Sequence, residues 1–135
     1  MNEHWEIEPN ISVGPLLLGM RKEECEAVLG GAHDVFKRTG DSIKTIMVYE
    51  SENLHITINE KGKAEEYSLF SPRKIMLKGV QVLGRSPEDV YSELVSTGIR
   101  LEKSDIGMWS EKIGVNLVEV EGIIDGVEIR SSEQA

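Results

Sequence analysis

The residues most able to do chemistry in this chain are its three histidines and its one cysteine. His4, His33 and His55 stand far apart. None lies at metal-ligand spacing to another histidine or to Cys25, so no metal site is expected. Cys25 sits near a helix start, where a thiolate nucleophile is favoured. It also falls on the apolar stripe of that helix, and its counterpart in a second, similar stretch is Val90. A position that accepts valine is a core position, so Cys25 reads as structural. The acid pairs Glu23–Glu24 and Glu88–Asp89 have the composition of general acid–base carboxylates. Both open helices, however, where the helix dipole favours negative charge without any chemistry.

Glycines followed by a helix start raise the question of anion binding. Gly14 and Gly19 lack the lysine and hydroxyl residue of a phosphate loop. Gly79 and Gly84 are followed by Arg85–Ser86, which comes closer, since a glycine-to-helix junction can hold an anion. Glu88 and Asp89 crowd that junction and repel one, so these glycines read as turn residues. No serine occupies a Gly-x-Ser-x-Gly elbow. Arg73, Lys74, Lys78 and Arg85 form a basic cluster without interleaved aromatics, which is a poor nucleic-acid surface. No catalytic, cofactor-binding or metal-ligating residue is assigned, and no cofactor is expected.

The tryptophans are the remaining candidates, because tryptophan is enriched at binding hot spots and is also a common core residue. Trp109 has Asp105 and Glu111 close by, and Glu119, Glu121, Asp125 and Glu128 follow; acids outnumber bases from Lys103 to the end. The expected partner-binding patch is Trp109, Asp105, Glu111, Glu119 and Glu121. The alternative is that these acids are an ordinary solvated face.

The elements that must position these residues follow from periodicity. Gly14 to Leu29 matches Gly79 to Leu94: Leu18 meets Leu83, Gly19 meets Gly84, the acid pairs coincide, and Leu29 meets Leu94. Each copy reads as a strand, a glycine turn and a helix. The first helix spans roughly Lys22 to Leu29, with Arg21 as a poor cap and Cys25, Val28 and Leu29 as one buried stripe. The second begins at Ser86-Pro87-Glu88-Asp89, where Ser86 caps and Pro87 suits the first turn, and it stops at Thr97–Gly98. Trp5 and Ile7 suggest a short strand or arm near the start. Ala32 to Ser42 reads as loop. Ile43 to Glu50, Leu54 to Asn59 and Ala64 to Phe70 read as strands, with a turn at Glu60-Lys61-Gly62-Lys63. Val80 to Leu83 leads the second half, Ile99 to Glu111 is mixed, and Val115 to Val120 is a strand. Glu121–Gly122 is the expected turn, and Asp125–Gly126 an alternative one. The fold expectation is α+β: tandem β-α-β-β-β halves, about 11–72 and 75–131, in a single domain. Each half has an antiparallel sheet with a helix on one face, and a pseudo-twofold relates the halves. The best internal boundary is Ser71 to Lys74.

The run from Val13 to Gly30, VGPLLLGMRKEECEAVLG, is similar to a G-M-(S/T)-x-E-E-V-x-x-x-L-G helix start found in small bacterial proteins. It resembles the outer-membrane-lipoprotein repeat domain, the tandem-repeat β-lactamase inhibitory protein and immunity-type proteins of bacterial toxin systems. The chain departs from the pattern at Arg21 and Cys25, and the second copy restores it with Ser86 and Val90. The resemblance implies protein binding without catalysis. It assigns no individual functional residue.

Composition sets the remaining bounds. The 135 residues suit one domain, and 39% hydrophobic with 29% charged residues is the make-up of a soluble globular chain. With 24 acidic and 15 basic side chains the net charge is −9, which disfavours nucleic acid and anionic membrane and suits a basic protein partner. A lone cysteine excludes an internal disulfide. Met1 to Asn10 lacks the basic and apolar regions of a signal peptide, and no apolar run approaches the roughly 18 residues of a membrane span. A cytoplasmic setting is expected. The leading functional expectation is an immunity or antitoxin-like protein that neutralises a basic partner. The others are a small-ligand binder or enzyme with a site between the halves, and a homodimeric module joined through exposed sheet edges.

Overall fold

A computed structural model of the chain describes residues 4–32, 34–38 and 43–131. The first part of the chain forms β1 (His4–Glu8), β2 (Ser12–Val13), β3 (Leu16–Leu17), α1 (Lys22–Leu29), β4 (Asp34–Arg38), β5 (Lys44–Tyr49), β6 (Leu54–Ile58) and β7 (Ala64–Phe70). The second part forms β8 (Lys74–Leu77), β9 (Val80–Gln81), α2 (Pro87–Ser96), β10 (Glu102–Ser104), β11 (Gly107–Ser110), β12 (Val115–Val120) and β13 (Ile123–Arg130). The class is α+β: two helices and two sheets, of five and eight strands.

The helices form where their caps and dipoles dictate. Ser86 Oγ accepts from Asp89 N–H at 3.2 Å and opens α2. Arg21 cannot accept, so α1 relies on Glu24, whose carboxylate takes the Arg21 N–H at 2.8 Å. Of the stripe expected on α1, Cys25 is buried and Leu29 packs partly against the core, but Val28 is 44% exposed. In α2, Val90 and Leu94 are buried.

The small sheet runs β3-β2-β1-β8-β9. The apolar run from Ile11 to Leu18 forms two short strands, β2 and β3, separated at Gly14–Pro15, where proline has no N–H for the ladder and Gly14 takes a φ of +56°. Gly14 packs on the Trp5 ring, leaving no room for a side chain: a Cβ there would lie 2.5 Å from Trp5 Cδ2. β1 and β8 are parallel neighbours, with Trp5 beside Ile75 and Ile7 beside Leu77.

The large sheet runs β10-β11-β12-β13-β7-β6-β5-β4, antiparallel throughout. Its central seam pairs β13 with β7, Val127 opposite Leu69 and Ile129 opposite Tyr67. The sheets are therefore not one per half: the large sheet takes strands from both sides of the Ser71–Lys74 boundary. Leu54, Ile56, Ile58, Tyr67, Leu69, Leu117, Val127 and Ile129 line its inner face and join Trp5, Ile7, Ile75, Leu77, Val90 and Leu94 in one buried cluster. Burying such a face is what fixes strand register, because a slip of one residue would turn it to water.

Several expectations change. Ala32 to Ser42 contains strand β4; residues 33 and 39–42 lie outside the described set. β10 forms within the stretch read as mixed, and β9 is shorter than the strand expected over Val80 to Leu83. The turn between β12 and β13 is Glu121–Gly122, with φ of +52° and +84°, the left-handed pair that a two-residue hairpin requires. Asp125–Gly126 lies inside β13, beside an irregularity at Val118/Glu119. No helix among the described residues is long and apolar enough to cross a membrane.

Candidate functional site

The outer face of the large sheet carries the site. Antiparallel partners share a face, and neighbours along a strand alternate. Met108, Leu117, Val127, Tyr67 and Ile56 point into the core. The residues between them, Trp109, Asn116, Glu128, Ser68 and His55, therefore form a row across the other face, each opposite the next. Arg130, Glu66, Thr57 and Ile46 form the adjacent row. Ile46 is only 4% exposed, yet it lies outside the main core because it faces this outer side.

A groove of about 860 Å³ opens on this face, lined by Asp105, Ile106, Trp109, Glu111, Asn116 and Glu128, among others. A second hollow of about 460 Å³ continues along it past Ile46, His55, Glu66, Ser68 and Phe70. Glu128 and Arg130 line both, so the hollows meet at the sheet's central seam. Phe70 lies over Gly126, and the His55 ring meets it edge-on at 5.0 Å. Gly114 shapes the Glu111 end. Its φ is +67°, and a Cβ there would stand 1.8 Å from the Arg130 carbonyl oxygen.

Five carboxylates and two cations line the combined surface: Asp105, Glu111, Glu65, Glu66 and Glu128 against Lys44 and Arg130. Three of the carboxylates are engaged within the chain. Lys44 pairs with Glu65, Arg130 pairs with Glu66, and Asn116 Nδ2 donates to Glu128 Oε1 at 2.9 Å. Asp105 and Glu111 have no ion pair or side-chain hydrogen bond among the described residues. Between them on the lining stands Trp109, 37% exposed. This end of the groove joins unspent negative charge to an accessible aromatic face.

Trp109, Asp105 and Glu111 of the expected patch are thus brought together, whereas Glu119 and Glu121 do not line the groove. Glu119 lies two residues beyond inward-facing Leu117 and pairs with core residue Ile124, so it does not belong to the outer row of Asn116. Glu121 sits in the hairpin turn beyond.

The tryptophans separate cleanly. Trp5 is 7% exposed, and the Arg73 guanidinium stacks over it at 4.0 Å. Arg73 also binds Glu52, and Arg85 pairs with Glu93, so half of the basic cluster read from sequence is spent inside the chain. Cys25 is buried, its Sγ 3.9 Å from Tyr67 Oη. Burial pushes its thiol up, the opposite of what a nucleophile needs. His4 is exposed on β1, His33 lies outside the described residues, and His55 belongs to the groove wall. Among the described residues no three metal-ligating side chains are grouped.

No family model, characterised protein or solved structure matches the chain.

Sequence reading missed Asn116, Glu128, Arg130, Phe70 and Ile46 as members of the site. Alternation in β6, β12 and β13 was the available signal for which side chains face outward. The β13–β7 pairing that brings Phe70 and Ile46 alongside Glu128 and Arg130 joins strands distant in sequence.

Proposed function

We propose that this chain is a non-catalytic protein-binding module that takes a basic partner protein on the outer face of its large sheet, as a cytoplasmic immunity or antitoxin-like protein would. One observation carries the reading: Trp109 stands accessible in the 860 Å³ groove beside two carboxylates, Asp105 and Glu111, that no cation within the described chain neutralises. A half-exposed tryptophan in a hollow is the usual form of a binding anchor. Unpaired carboxylates around it draw a partner of opposite charge and set its orientation. The net charge of −9 acts in the same direction at longer range. The resemblance of the Val13–Gly30 run to immunity and inhibitor proteins supports the same class.

The test is affinity capture with the full chain from its native cell, repeated with Trp109→Ala and with the double variant Asp105→Lys/Glu111→Lys. The reading expects a basic protein that the wild type retains and both variants lose, while Glu119→Lys/Glu121→Lys keeps it. Retention by all the variants would place binding elsewhere on the molecule. A toxin gene beside this one in the genome would name the first partner to try.

A further inference from the structure

The fold already contains one completed tryptophan–arginine–carboxylate set. The Arg73 guanidinium lies over the Trp5 ring at 4.0 Å. Its Nη1 donates to Glu52 Oε1 at 3.0 Å and to the Glu52 carbonyl oxygen at 2.9 Å. The Arg73 side chain is only 12% exposed, so ring, cation and acid shield one another.

Trp109 has the ring and the acids of such a set. Glu102 is its direct partner across the β10–β11 ladder, so both side chains stand on the outer face, with Cβ atoms about 5 Å apart. Asp105 and Glu111 line the groove with Trp109. Glu128 lies in the same row on the far side of Asn116, which holds its Oε1. None of these four carboxylates has an ion pair among the described residues. The lysine of β10, Lys103, turns to the opposite face and lies over the Tyr91 ring at 4.9 Å.

We propose that the cation over Trp109 is an arginine side chain of the partner, stacked on the indole and hydrogen-bonded to the carboxylates beside it. The proposal rests on the protein-binding reading above and adds the residue that the partner presents. A guanidinium fits for two reasons. It is flat and weakly hydrated, so it lies on an indole and gives up little water. Its N–H groups spread in the plane of the cation, so a stacked guanidinium still reaches carboxylates at its edge. Trp109 has them on both sides, Glu102 towards β10 and Glu128 towards β13. An ammonium is a compact, strongly hydrated charge that gains less from a flat ring. The stack also covers an indole that is 37% exposed, as Arg73 covers Trp5.

Proton–nitrogen correlation NMR of the full chain at low salt, titrated with N-acetyl-arginine amide, tests this without the partner. The indole and backbone signals of Trp109 and the backbone amides of Glu102 and Asn116 are expected to shift together along one saturating curve. The Trp5 indole signal is expected to stay in place. N-acetyl-lysine amide keeps the charge without the plane, and N-acetyl-citrulline amide keeps the plane without the charge. Each is expected to bind about fivefold more weakly than the arginine compound. Glu102→Gln is expected to weaken the arginine compound about threefold, and Trp109→Leu about tenfold as read at the Asn116 amide, with the rest of the spectrum retained. Unmoved Trp109 signals, or equal affinity for the lysine compound, overturn the proposal. Should affinity capture still yield a protein that Trp109→Ala loses, the protein-binding reading survives that failure. Arginine-selective shifts at Trp109 without a captured protein support the guanidinium site and count against the protein-binding reading alone.

Discussion

Trp109 and Asn116 are direct partners across the β11–β12 ladder. Asn116 in turn donates to Glu128 Oε1 at 2.9 Å. The tryptophan thus stands at the head of a row in which Asn116 and Glu128 are tied to each other, while its own ring stays accessible.

Removing that ring should cost binding and little else. Trp109→Ala is expected to weaken partner binding by roughly 2 kcal/mol, about thirtyfold. Because the ring is partly exposed, folding stability should change by no more than about 1 kcal/mol. Isothermal titration against the captured partner and urea unfolding of the free chain read the two quantities separately.

Charge around the ring should act mainly on encounter. Asp105→Lys/Glu111→Lys is expected to slow association on the order of tenfold at low salt, with the difference shrinking as salt screens the field. Glu119→Lys/Glu121→Lys should have a smaller effect at the same salt, since those carboxylates have left the groove. Stopped-flow association rates at several ionic strengths check both.

The groove depends on a glycine that no side-chain chemistry would flag. At Gly114 a Cβ would stand 1.8 Å from the Arg130 carbonyl oxygen, in a backbone conformation with φ +67°. Gly114→Ala is expected to destabilise the fold by about 2–4 kcal/mol. Denaturant midpoints give the measurement; an unchanged midpoint would show that the β12 entry is not built this way.

Alkaline pH should unfold this protein earlier than its net charge alone explains. Burial pushes the Cys25 thiol above its ordinary value of 9.0, and burial likewise pushes the Tyr49 and Tyr67 phenols above 10.0. Each group holds its proton more tightly folded than unfolded. Above pH 9 the unfolded chain releases protons that the folded chain keeps, so stability falls as pH rises. Well below pH 9, where both states keep these protons, the groups add no slope. Tyr67 also donates to the Leu17 carbonyl at 2.6 Å, so Tyr67→Phe should cost about 1–2 kcal/mol at neutral pH and flatten the alkaline slope. Urea titrations at a series of pH values from neutral upward show both effects.

Local rules made much of this fold legible. Both helices, the Glu121–Gly122 turn and the short strand carrying Trp5 and Ile7 follow from caps, left-handed turn residues and alternation. Val28 escaped because α1 is short and only Cys25 turns fully inward. β4 escaped because Val35 and Phe36 are its only large apolar residues among charges, and such a pattern resembles a loop. The sheet order escaped for a different reason. β7 meets β13, and β1 meets β8, through pairings that burial of the shared core selects and no nearby residue encodes. The site was half legible in consequence: Asp105, Trp109 and Glu111 lie close in sequence, and Glu128 and Arg130 join them through the β12–β13 hairpin, whereas His55 and Phe70 line the adjoining hollow only through the β13–β7 seam.

The most direct test of the central claim is amide hydrogen exchange of the full chain, free and bound to its captured partner. New protection is expected in β10 and β11 and in the β12–β13 ladder around Asn116 and Glu128, the strands that build the groove. Protection confined to the small sheet or to α2, with those strands unchanged, would contradict it.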